Sequence, residues 1–196
     1  MNDNGRKIAE VIESSTARYT AQCYELYPSA AGPDLGALVR AGESYGIVAG
    51  ATTASVEPGR RPIARGKEEA TVDDVYAASP HLVSLLRSEI TVIVTGCYTS
   101  GSIRHFLPPQ PVRIHEFVYL CTGDEVKKFG ASLDFLPSLL NAETDVPPEE
   151  LIAASLRRLA VAQDDARSFL VAAGKELAAL LSNDFIRLKT ILGRLQ

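Results

Sequence analysis

The chain has 196 residues, of which 46% are hydrophobic and 22% charged, a balance that fits one or two globular domains. At this length it buries enough surface to fold without a metal or a disulfide. Twenty Lys and Arg stand against 24 Asp and Glu, a formal charge of −4, which argues against a general nucleic-acid coat protein and leaves room only for a local basic patch.

The start, residues 1–7, is polar and lacks the apolar stretch of a secretory signal. No apolar run approaches the roughly 20 residues a membrane span needs. Cys23, Cys97 and Cys121 are far apart, odd in number and form no CxxC pair. A reducing cytoplasm, with thiols packed as small hydrophobes, is therefore expected.

In chain order, residues 8–13 read as an apolar strand, Ser14-Ser15-Thr16 as a turn, and residues 18–24 as an alternating strand that completes a hairpin. Residues 28–33 are a Ser, Ala, Gly and Pro loop, and residues 38–40 a short strand that ends at Gly42. Residues 45–56 carry the longest β signal of the first half, with Gly46 and Gly50 as expected bulges or bends. An insertion around 71–87 follows. Thr71 is placed to cap a short helix through Tyr76, and Ser79-Pro80 to start a second helix striped by Leu82, Leu85 and Leu86. Residues 89–98 form a core strand with Ile90, Val92 and Val94 on one face. A turn at residues 99–102 leads into a strand over 103–106, and residues 114–120 form the last strand.

From Thr122 the pattern becomes helical. Thr122 and Glu125 have capping-box spacing. A short helix through Phe129 and another over 134–140 follow, then a joint at 142–148. Three amphipathic helices close the chain. The first is striped by Ile152, Leu156 and Leu159, the second by Phe169, Ala173, Leu177 and Leu180, and the third by Leu188, Ile191 and Leu195. The expected fold is α+β: a small, mostly antiparallel β-barrel over 7–121, then a helical domain over 122–196.

The most distinctive segment is Pro58-Gly59-Arg60-Arg61-Pro62-Ile63-Ala64-Arg65-Gly66-Lys67. Arg60, Arg61, Arg65 and Lys67 are candidates for contact with an anion or with a partner, because guanidinium forks match carboxylate and phosphate. A solvated or subunit-contact loop, its charges answered by Glu68, Glu69, Asp73 and Asp74, is the other reading. The segment is not a P-loop: six residues separate Gly59 from Gly66, and Glu68 stands where the hydroxyl residue belongs. His105 and His115 lie within reach of one another across the prolines at 108–111, but no third metal ligand is spaced for them. The acid pairs Asp73-Asp74, Glu149-Glu150 and Asp164-Asp165 sit at predicted helix starts, where they suit the helix dipole. Neither a catalytic constellation nor a cofactor motif emerges, and no cofactor is expected.

Val11-Ile12-Glu13-Ser14-Ser15-Thr16, then Leu35-Gly36-Ala37-Leu38-Val39-Arg40 and Tyr45-Gly46-Ile47-Val48-Ala49-Gly50, with the later strand over 88–98 and the Leu107-Pro108-Pro109 turn, resemble the HAS-barrel. This is the small barrel at the N-terminus of HerA-type translocases and of ATP synthase α and β subunits. The resemblance spans residues 7–120 and rests on strand order and glycine placement. In those relatives a P-loop ATPase domain follows the barrel, which helps assemble a ring. Here about seventy helical residues follow instead, without Walker motifs. The resemblance thus implies a non-catalytic module for assembly or partner docking, as a homo-oligomer or with a protein partner such as a HerA-like ATPase on another chain. The alternative is a small nucleic-acid-binding barrel of the OB or translation-barrel sort, using the basic 60–67 loop with Tyr19, Tyr24 and Tyr45 for stacking.

Overall fold

The computed structural model describes residues 5–27, 32–57 and 59–195. Most of the loop read at 28–33, part of the polar start at 1–7, and Pro58 of the basic segment lie outside the described residues.

Seven antiparallel strands form one sheet that closes into a ring. They are β1 (Arg6–Ser14), β2 (Arg18–Cys23), β3 (Leu38–Ala41), β4 (Ser44–Ser55), β5 (Leu86–Thr99), β6 (Ser102–Arg104) and β7 (Phe117–Leu120). The order is β2-β1-β7-β3-β4-β5-β6, and β2 also pairs with β5, so six strands form the circuit and β6 hangs from β5. β7, the last strand in sequence, slots between β1 and β3. Closure leaves few free edges, which is the physical gain of a ring.

Gly46 and Gly50 both fall at register shifts between β4 and β5, after Tyr45 and Val48 respectively. At Gly46 a side chain is impossible, since a Cβ would lie 2.5 Å from Val92 Cγ1 and 2.7 Å from the Ile93 carbonyl oxygen. The β5–β6 turn is Ser100-Gly101, with φ of 50° and 83°, the two positive angles that a twisted two-residue hairpin demands.

Alternation splits the strands between two cores. Val11, Ala21, Val39, Ala41, Val48, Ile90, Val92, Val94 and Val118 fill the ring interior around Tyr19. Leu38, Tyr45, Ile47, Ala49 and Ile93 point outward and meet the helices. Those helices are α2 (Gly123–Phe129), α3 (Leu136–Leu140), α4 (Pro148–Val161), α5 (Ala166–Leu180) and α6 (Phe185–Gly193); α1 (Val72–Ala78) lies in the insertion between β4 and β5. Phe129, Phe135, Leu139, Ile152, Leu156, Leu177 and Ile191 join the outward strand residues in one continuous cluster. The tail thus finds its missing core on the outside of the ring. α4 is its centre, touching α3, α5 and α6.

Some elements differ from the sequence expectation. The helix after Pro80 is a six-residue 3₁₀ turn, Pro80–Leu85, with no buried residue. Leu86, expected on its stripe, pairs with Ser55 instead, so the strand ladder ends the turn before an α-helix can grow. The last strand begins only at Phe117, because His115 adopts a φ of 68° and breaks the extended run. β6 stops at Arg104 and leaves Phe106 exposed. Leu180, placed on the buried stripe of α5, is also exposed.

Candidate partner-binding arm

β4 and β5 are longer than their neighbours. β3 pairs with β4 only through Ile47, and β2 with β5 only from Glu89 onward, while β4 and β5 stay paired out to Ser55 and Leu86. The pair therefore leaves the ring as a two-stranded ribbon, and its tip carries the basic segment, α1 and the 3₁₀ turn. Among the described residues of this arm, 51–87, none is buried.

Local chemistry holds the arm. Thr71 caps α1: the Asp74 N–H donates to Thr71 Oγ1 at 3.2 Å, and the Thr71 N–H donates to Asp74 Oδ2 at 3.0 Å. This reciprocal box satisfies two backbone-end donors without tertiary help. The basic segment folds back on the helix, and a Cβ at Gly66 would lie 3.0 Å from Val75 Cγ2. Between segment and ribbon is a groove of about 280 Å³, lined by Arg60, Arg61 and Arg65 together with Ile63, Tyr76 and Leu85.

Three of the four basic candidates thus converge on one groove. Arg60 pairs with Glu57 at 2.9 Å, both side chains exposed. Arg61 and Arg65 have no ion pair among the described residues. Lys67 lies outside the groove lining, its Nζ 3.8 Å from Glu68. Asp74 is engaged by Thr71, while Glu69 and Asp73 have no side-chain partner among the described residues. The expected neutralisation by downstream acids is therefore only partial. The apolar component of the groove was not legible in the sequence, because Ile63, Tyr76 and Leu85 follow no common period.

The other candidates are used elsewhere. His115 and His105 go to separate partners: His115 Nδ1 is 2.6 Å from Glu10 Oε1, whereas His105 lies 3.1 Å from the Phe129 carbonyl and 3.3 Å from that of Thr95. Tyr19 and Tyr45, proposed for base stacking, are buried; of the three only Tyr24 is exposed, and the Lys7 ammonium sits 5.3 Å from its ring centre. Burial pushes the Cys23 thiol up to about 11, with Glu89 adding to the shift, and it raises Cys97 and Cys121 as well. All three thiols are held in the protonated, weakly nucleophilic form.

Where ring and helices meet, Glu125 anchors α2. Arg40 Nε donates to Glu125 Oε1 at 3.0 Å and Tyr45 Oη to the same oxygen at 3.2 Å, while the Thr122 N–H donates to Oε2 at 2.9 Å. Burial alone would raise this carboxyl. The Thr122 N–H and the Arg40 guanidinium outweigh it and hold the group below the usual glutamate range. Every acceptor position is filled by the protein itself, so this cluster is a structural pin.

Comparison with known proteins gives no matching family model and no matching curated sequence.

Proposed function

We propose that this chain is a non-catalytic, cytoplasmic docking module that presents the 51–87 arm to a protein partner. One observation carries the reading: a ribbon, a capped helix and a three-arginine groove project from a well-packed body, yet no described residue of the arm is buried. Apolar side chains such as Ile63, 76% exposed, and Val72, 70% exposed, gain nothing in water from that position. Ile63 shares the groove with Arg61 and Arg65, which have no ion pair among the described residues, a composition that suits a binding patch.

The closed antiparallel ring followed by helices supports the HAS-barrel reading, and with it an ATPase of the HerA type on another chain as the partner class. The basic groove suits an acidic face of such a partner. The nucleic-acid alternative keeps only Tyr24 of its three stacking residues on the surface, since Tyr19 and Tyr45 are buried.

The test is a chain in which residues 57–84 are replaced by Asn-Gly, a two-residue turn that closes on Val56 and Leu85, where the Val56 N–H donates to the Leu85 carbonyl at 2.9 Å. This shortened chain is expected to melt like the parent. In extracts of the native cell, the parent is expected to retain a protein that the shortened chain does not. Identical retention by both chains, or retention of nucleic acid alone, overturns the proposal.

A further inference from the structure

The lining of the arm groove divides by element. Its cations, Arg60, Arg61 and Arg65, all come from the basic segment, while Val75, Tyr76, Leu82 and Leu85 come from α1 and the 3₁₀ turn. One acid, Glu57, shares the lining and is paired with Arg60. Three cations against one acid leave the groove a net charge of +2. Arg61 and Arg65, which have no ion pair among the described residues, hold that excess.

The arm as a whole carries no such excess. Residues 51–87 contain five Lys and Arg and five Asp and Glu, and Glu68, Glu69, Asp73 and Asp74 all lie outside the groove lining. A long polyanion laid along the arm therefore meets both signs and gains little. Only an anion about as short as the groove meets the excess alone. An inorganic anion is short enough but leaves the apolar lining in water. A free small ligand is normally enclosed over most of its surface, and here no described residue of the arm is buried. What fits is a short piece of a larger partner that carries two negative charges and an apolar side chain.

We propose that the groove takes an extended acid–apolar–acid segment of the partner protein. Such a motif presupposes the docking role of the arm and narrows the partner's acidic face to one short stretch. In an extended chain, successive side chains point to opposite sides. Two carboxylates at alternate positions then face Arg61 and Arg65 as charge-assisted pairs. The side chain between them turns to Tyr76, Leu82 and Leu85, and an aromatic residue there adds ring contact with Tyr76. The groove volume of about 280 Å³ lies just below the roughly 300–1,000 Å³ of sites for whole ligands. It has room for a few side chains.

Fluorescence anisotropy of labelled peptides, titrated with the full chain, tests this. The probe Gly-Ser-Glu-Phe-Glu-Ser-Gly is expected to bind. Two relatives, one with Gln for both Glu and one with Gly for Phe, are expected to bind at least about tenfold more weakly. Octaglutamate and oligothymidylate, which extend past the groove, are also expected to bind more weakly than the probe. Arg61→Glu with Arg65→Glu is expected to abolish binding of the probe and to create binding of its Lys-Phe-Lys counterpart, at an unchanged melting temperature. Arginines that merely brace the arm would give no such exchange. Tyr76→Ala is expected to weaken the Phe probe more than its Gly relative. A chain that binds the probe no better than the Gln or Gly peptide, prefers oligothymidylate, or keeps its preference after charge reversal overturns the inference. So does phenylsuccinate, a free aromatic dicarboxylate, if it displaces the probe at equal concentration. In each of these cases, arm-dependent retention of a protein from extracts leaves the docking role standing on another part of the arm; if that retention is also absent, both fall.

Discussion

The ring with its helices and the 51–87 arm are stabilised by different physics. In the body, neighbouring strand side chains take opposite sides: Val92 and Val94 go into the ring, Ile93 goes out to the helices, and all three are buried. In the arm, order comes from backbone pairing and one capping box, with no described residue buried. Hydrophobic burial dominates folding free energy, so the body determines whether the chain folds. The arm is free to be shaped by what it binds. A segment that contributes so little to stability tolerates sequence change that the core does not.

Removing one side chain from each region gives the widest contrast. Leu156 of α4 is fully buried in the shared core. Leu156→Ala is expected to cost about 3 kcal/mol, from lost transfer energy plus a cavity. Ile63→Ala removes a side chain that is 76% exposed, and its expected effect is within about 0.5 kcal/mol. Denaturant melts of the two variants check the pair. Comparable losses would mean that the arm is part of the cooperative core.

The two regions also differed in how far their sequence could be read. Body strands obey period two and body helices carry clear stripes, so the α+β order, the bulges at Gly46 and Gly50, and the cap at Thr122 were all legible, as was the local cap at Thr71 in the arm. What remained hidden was set by contacts distant in sequence. Nothing local shows that Leu86 belongs to a ladder with Ser55 instead of a helix after Pro80, or that Leu180 lies beyond the reach of the ring. In the arm, the arginines were visible as a charge run, but their convergence needed the fold-back of Gly66 onto Val75.

A smaller effect tests the joint between ring and helices. The Glu125 carboxyl titrates lower in the folded chain than its ordinary 4.5. Its contribution is therefore fully present above that value and is lost as pH falls through the folded-state pKa. Glu125→Gln keeps the shape but weakens the charge-assisted bonds from Arg40 and Thr122, at an expected cost of about 1 kcal/mol at neutral pH. Melting temperature against pH should show a shallower acid limb in the variant than in the parent. Parallel acid limbs would mean that Glu125 is not the group that couples α2 to the ring.

The arginines of the arm should also contribute little to stability. Arg60→Ala, Arg61→Ala and Arg65→Ala together remove one exposed pair, Arg60 with Glu57, and two side chains that have no ion pair among the described residues. Exposed pairs contribute between nothing and about 1 kcal/mol. The triple variant should therefore melt within about 2 °C of the parent, given the size of the chain. Association should respond in the opposite way. Converging guanidinium groups act on a charged partner surface through fields that salt screens over about 10 Å at 0.1 M. The parent's association should accordingly weaken as salt rises, and the triple variant should associate weakly with little salt dependence. If the variant instead loses several degrees in melting while association is untouched, the arginines brace the arm. The groove they line would then be a consequence of folding and would have no role in recognition.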